Sequence, residues 1–229
     1  MSAKSTSTRV LSRLRGELDG HVIEPGDGDY EEARMVFSPA FDRRPAAIVR
    51  PVDAEEVGAV VSLAREHGLE LAVRSGGHSP AGHGTSDGIV LDLALMKWLD
   101  IDPGRRIARA QTGLTAGEVT AATHTHGLAI GFGDTGSVGI GGLTLGGGVG
   151  YLVRKYGLTI DHLVGAEIVT GEGKRLRADA ETNPDLFWAI RGGGGNFGVA
   201  TRFEYRLHRV DEVTGGMLIL PATPEVIAG

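Results

Sequence analysis

The sequence predicts an α+β protein of two adjoining lobes joined by glycine-rich loops. Three observations carry that prediction. A strand–helix–strand pattern fills residues 46–73, and a hairpin pattern followed by a long alternating strand fills residues 163–207. Glycine reaches 37 of 229 residues while proline stands at 9. That is about twice the usual ~7% share of glycine. Without matching proline or serine this is not a linker composition, and it marks backbone packed closely against something.

The elements follow in order. Val10, Leu11, Leu14 and Leu18 form a helical stripe that ends near Gly20, and Pro25 to Asp29 make a loop. Ala46–Val52 reads as a strand. Asp53 then stands at a helix N-cap with Glu55 and Glu56 in the first turn, and Val57, Val60, Val61 and Ala64 follow at helical spacing until Gly68. Leu69–Val73 is the returning strand, so the first sheet is at least partly parallel. Ile89–Leu93 and Arg106–Ala110 read as further strands. Thr115 and Glu118 have capping-box spacing and open a helix that runs through His124 to Gly127. Leu163–Thr170 and Lys174–Ala178 pair through a turn at Glu172-Gly173. Pro184 begins a short helix that ends at Arg191. Val199–Leu207 and Met217–Leu220 are predicted strands, and residues 223–229 look like a first helical turn. The expected organisation is a lead-in over 1–43, a two-lobed domain over 44–210 and the start of something further over 211–229.

Composition removes several function classes. The net charge of −6, with no dense basic run, argues against a nucleic-acid partner. The chain has no Cys, which removes disulfides, thiolate nucleophiles and Cys-type zinc sites. The histidines do not converge at metal-ligand spacing, so no metal is expected, and His124, His126 and His162 read as surface or helix-end residues. No apolar run suits a signal peptide or a membrane span, giving a cytoplasmic expectation.

Chemistry concentrates in two loops. Arg74-Ser75-Gly76-Gly77-His78-Ser79 directly follows a strand. Residues 131–148 hold a longer glycine run. Consecutive glycines let backbone N–H groups approach an anionic ligand, which a net-acidic protein needs in place of cationic side chains. Gly131, Gly133 and Gly136 satisfy G-x-G-x-x-G, but Ser137-Val138-Gly139 is not expected to open the helix of a Rossmann fingerprint. No Walker lysine follows any glycine run. His78 stands out because nothing in a glycine loop packs an imidazole by default, and it could be a base, a phosphate partner or a nucleophile toward a cofactor.

Four motifs occur in order: Arg74–Ser79, Gly141-Gly142-Leu-Thr-Leu-Gly-Gly-Gly-Val-Gly-Tyr151, Arg154-Lys-Tyr-Gly157-Leu-Thr-Ile-Asp161, and the stretch from Asn183 to Gly198. Together they resemble the FAD-linked oxidases of the vanillyl-alcohol oxidase and p-cresol methylhydroxylase type, in the berberine-bridge-enzyme-like branch. The resemblance implies a two-lobed FAD-binding domain with the pyrophosphate on the first glycine loop and His78 bonded to the flavin 8α carbon. The cofactor-binding set it implies is Arg74, Ser75, Gly76, Gly77, His78, Ser79, Gly82, His83, Thr135, Val138, Gly139, Gly142, Gly147, Gly148 and Val199. Relatives with a second link use a Cys where Thr135 stands here, so a single histidyl link is expected. Val138 is expected near the edge of the flavin where O2 reacts. Relatives are about twice as long, and the substrate domain with its catalytic base is expected to be absent, leaving a face that favours self-association. The implied function is oxidation of a small alcohol, sugar or amine substrate with O2 as acceptor. Alternatives are a non-catalytic flavin-binding module that needs a partner chain, and a reductase of the UDP-N-acetylenolpyruvoylglucosamine type, which the Gly-Gly-His motif disfavours.

Overall fold

The computed structural model describes residues 15–16, 18–210, 212–216 and 219–228. The first lobe is a sheet of β1 (His21–Ile23), β2 (Ala47–Arg50), β4 (Ile89–Asp92) and β3 (Leu71–Arg74), in that spatial order. The short helix α1 (Tyr30–Ala33) precedes β2, and α2 (Ala54–Glu66) lies between β2 and β3. The expected parallel unit is present with one addition: β2 and β3 each pair parallel with β4, which occupies the slot between them. Helix α2 begins where the sequence places it because the Asp53 carboxylate accepts from the Glu55 and Glu56 N–H groups at 2.8 and 2.9 Å. It ends at Gly68, whose φ of 61° only glycine adopts freely.

The second lobe is a five-stranded antiparallel sheet in the order β5 (Leu99–Asp102), β6 (Ile107–Gln111), β10 (Val199–Arg206), β8 (Leu163–Val169), β9 (Arg175–Asp179). Helices α3 (Ala116–His124), α4 (Ile140–Leu145), α5 (Val153–Tyr156) and α6 (Pro184–Ile190) are interleaved with these strands, as are the two-residue partners β7 (Leu128–Ala129) and β11 (His208–Arg209). The capping box predicted for α3 is formed in full by Thr115 and Glu118. The β8–β9 hairpin turns at Gly173, as the sequence indicates. Helix α7 (Pro224–Ala228) matches the expected terminal turn.

Some expectations need correction. Ile219 and Leu220 are not in a strand, while Met217 and Leu218 lie outside the described residues, as do Val10, Leu11 and Leu14 of the predicted first helix. A helix does open after Gly139, where the sequence reading placed none. It is only six residues long and is not part of a parallel strand–helix–strand unit, so the Rossmann reading stays rejected. His162 is not a surface residue. It is buried at the end of a 3₁₀ turn over Thr159–His162, where its Nδ1 lies 3.1 Å from Nε2 of His208, and the His208 ring stacks on Tyr156 at 4.1 Å.

Two cores result. One lies between the antiparallel sheet and its helices, around Phe203, Tyr205, Ile140, Val119 and Phe187. The other packs α2 on the parallel sheet, and it includes Val169 and Val199 from the second lobe. The lobes therefore share buried apolar surface.

Replacing Asp53 with Ala should cost about 1 kcal/mol, the usual worth of a satisfied N-cap, read as a lower urea midpoint at unchanged slope. The histidine pair sets a pH dependence. Burial holds His162 below the usual imidazole range, against the opposing pull of Asp161 and with Arg206 adding to the shift. Burial does the same to His208, reinforced by His162, Arg106 and Arg206. In the unfolded chain these groups take a proton near pH ~6.5. The folded pair takes it only lower, so the unfolded state binds more protons and stability falls as pH drops through that value. His208→Phe, which keeps the stack on Tyr156, should make the thermal-unfolding midpoint less sensitive to acidification; an unchanged slope would remove the pair as its source.

Candidate functional site

The first glycine loop starts from a buried ion pair. At the end of β3 the Arg74 guanidinium turns inward, 3.0 Å from Asp92 at the end of β4, and donates to the Ala33 carbonyl at 2.6 Å. Asp92 also takes Arg50 at 2.9 Å. A charge this deeply placed needs both kinds of partner, and Arg74 has them. Its side chain therefore supports the loop from below and does not line it.

Ser75 joins the lobes. Its hydroxyl donates to the Thr112 carbonyl at 2.5 Å and accepts from the Gly141 N–H at 3.1 Å. Beside it, Gly76 lies against the backbone of Gly139 so closely that a Cβ on either would collide with the other strand of chain. Gly77 then takes φ of 70°, and its carbonyl accepts from the Phe37 N–H at 3.1 Å. Both features turn the loop so that the next residue faces the second lobe.

That residue is His78. Its ring stacks on Phe37 with centroids 4.4 Å apart and planes 20° apart, and its Nε2 lies 3.2 Å from the Ser137 hydroxyl. The imidazole is half-buried and held on one face and one edge. Ser79 accepts from the His83 N–H at 3.2 Å, while the His83 side chain is exposed. Gly82 packs under the Phe41 ring.

The second glycine run meets this loop from the other lobe. Thr135 is exposed and bonds Asp134, and the Val138 carbonyl accepts from the Ala116 N–H at 2.8 Å, which ties the turn to α3. Helix α4 is anchored from behind by a buried bond of 2.7 Å between the Thr144 and Tyr205 hydroxyls. On its outer side Gly142 is exposed, and a Cβ there would meet nothing within 4 Å. A glycine inside a helix costs about 1 kcal/mol against alanine, and no contact among the described residues requires this one. Gly147 and Gly148 form the turn after α4, and Gly148 is packed against Thr159. Val199 has its side chain buried in the core that the lobes share. The structure thus brings Ser75–Ser79, Ser137–Gly139 and Gly142 to one seam and leaves the Arg74 and Val199 side chains beneath it. The sequence reading did not single out Ser137 or Phe37 as site residues. Ser137 sits within the second glycine run and had that signal, whereas Phe37 had none.

A family model described as FAD binding domain matches residues 45–179. The (R)-6-hydroxynicotine oxidase of Paenarthrobacter nicotinovorans is 41% identical over 194 residues, which cover 84% of this chain and 42% of that protein. The solved 6-hydroxy-D-nicotine oxidase from Arthrobacter nicotinovorans superposes with a TM-score of 0.83 at 41% identity, covering 84% of this chain and 43% of that one. Glucooligosaccharide oxidase from Acremonium strictum, described as carrying a 6-S-cysteinyl, 8α-N1-histidyl FAD, superposes with a TM-score of 0.80 at 29% identity over 88% of this chain and 42% of its own. The chain spans less than half the length of these relatives. With the family model matching more than half of its residues and the fold matching on both lobes, the chain belongs to the FAD binding domain family of FAD-linked oxidases of the p-cresol methylhydroxylase type.

Proposed function

We propose that this chain is the flavin-carrying part of an oxidase that takes hydride from an activated C–H of an alcohol, sugar or amine substrate and passes the electrons to O2, with the FAD bonded to His78 alone. The observation that carries the reading is the pairing of an unexplained helical glycine, Gly142, with an imidazole held across the same seam. The residues present fit the cofactor. Gly142 leaves room for a ligand against α4, and the loop that begins at Ser75 is tied to the neighbouring Gly141. The His78 ring, held by Phe37 and Ser137, supports a link from this loop. When bound, the flavin supplies hydride acceptance. The protein supplies placement: Ser75 and the Gly76–Gly139 contact fix the loop, and the open side of α4 at Gly142 leaves room.

The cysteinyl link of the Acremonium relative has no counterpart, because this chain has no Cys. The expectation is one bond. Protein precipitated with acid should keep its yellow colour, and His78→Ala should release it; colour retained in that precipitate would overturn the assignment. Gly142→Val tests the surface of α4. Since a Cβ added there has no described protein atom within 4 Å, the far-UV spectrum and unfolding midpoint should change little while FAD loading drops at least about tenfold, a loss of ~1.4 kcal/mol. Full loading in this variant would place the flavin elsewhere.

A further inference from the structure

We propose that Ser137 is a positioning residue for flavin attachment: by bonding Nε2 of His78 it presents Nδ1 as the nitrogen that forms the link. The inference rests on the covalent reading above. It starts from one contact, the 3.2 Å approach of the Ser137 hydroxyl to Nε2, made across the seam between the lobes. Bond formation by an imidazole consumes a ring lone pair, and in the neutral ring one nitrogen carries the proton while the other is free. The contact suits either tautomer, and we take the Nε2–H form, in which the Ser137 hydroxyl accepts from Nε2 and the Nδ1 lone pair is free to react. The Phe37 ring, stacked at 4.4 Å, covers one face of the imidazole and favours this orientation of its two nitrogens.

The step balances as follows. Nδ1 forms a bond to the 8α carbon, and that carbon loses one hydrogen as a proton. The substituted ring is a cation until Nε2 gives up its proton through Ser137, which is exposed to water. The face of Phe37 suits that transient charge. The electron pair from the broken C–H bond leaves the flavin two-electron reduced, and dioxygen removes the pair with two protons as hydrogen peroxide. A hydroxyl serves both ends of this sequence, because it accepts from Nε2–H before attachment and donates to the bare Nε2 afterwards. Thr keeps that ability, and Ala does not.

The test uses protein made in a flavin-depleted host, mixed with FAD in aerated buffer and followed by intact mass. Wild type should gain one FAD, and fragment analysis should place it on Nδ1. Ser137→Ala should gain it at least about tenfold more slowly, and Ser137→Thr should restore a rate near wild type. Affinity for dissociable FAD, read by flavin fluorescence in the His78→Ala background, should be the same with Ser137 or Ala at position 137. Four results would overturn the proposal: attachment of Ser137→Ala at the wild-type rate, a wild-type link on Nε2, no rescue by Thr, or a parallel loss of dissociable affinity. Failure of wild type to gain any covalent FAD is a separate outcome, and it removes the covalent reading itself along with this one.

Discussion

The hydroxyl of Ser75 holds the two sheets at the spacing on which the candidate site depends. It is spent in both directions, donating to Thr112 and accepting from Gly141, so it cannot move without breaking one lobe's contact with the other. Thr112 passes the constraint on by donating to the Ala200 carbonyl at 2.7 Å, in the centre of the antiparallel sheet. With the lobes fixed here, Gly76 and Gly139 come into backbone contact, and His78 from one lobe reaches Ser137 from the other. A hydrogen bond costs little to make but much to lose when its partners are left buried. That asymmetry is what makes one serine a structural keystone.

Much of this was legible in the sequence, and the reasons differ by element. Helix α2 was readable because Asp53, the valine stripe and Gly68 each state one end or one face. The β8–β9 hairpin was readable through Gly173, and α6 through Pro184. Strands β7 and β11 were not, since two residues apiece give no period to detect. Strand β5 hides its alternation behind Asp100 and Asp102, whose side chains tolerate an edge strand but do not announce one. His162 was misread because its burial comes from contacts with His208, 46 residues away, which no local pattern encodes.

The glycine excess serves several ends in the fold besides turns with positive φ. Gly58 packs on Gly173, Gly113 on the Leu93 carbonyl and Gly76 on Gly139, so these let chain approach chain. Gly142 has open space before it. Loop glycines such as Gly28 and Gly171 share that openness, but Gly142 has it inside a helix, and composition cannot separate these cases. Charge shows a similar division. Arg177, Glu204, Arg109 and Asp179 form a network on the partly exposed second sheet, where the Thr182 and Glu181 N–H groups and Arg177 hold Asp179 at about 2. Pairs of that kind contribute little individually in solvent. The Arg74–Asp92 pair is buried and fixes the base of the His78 loop, so it matters more for the site.

The sharing of Val169 and Val199 with the parallel lobe has a consequence for biosynthesis. The first lobe's core is built from residues 47–96 plus two valines that arrive much later in the chain. On a ribosome, the strands and α2 of that lobe emerge long before Val199 does. Until then one side of their apolar surface has no cover. The core of the first lobe is thus complete only when β8 and β10 have paired with each other and closed over it.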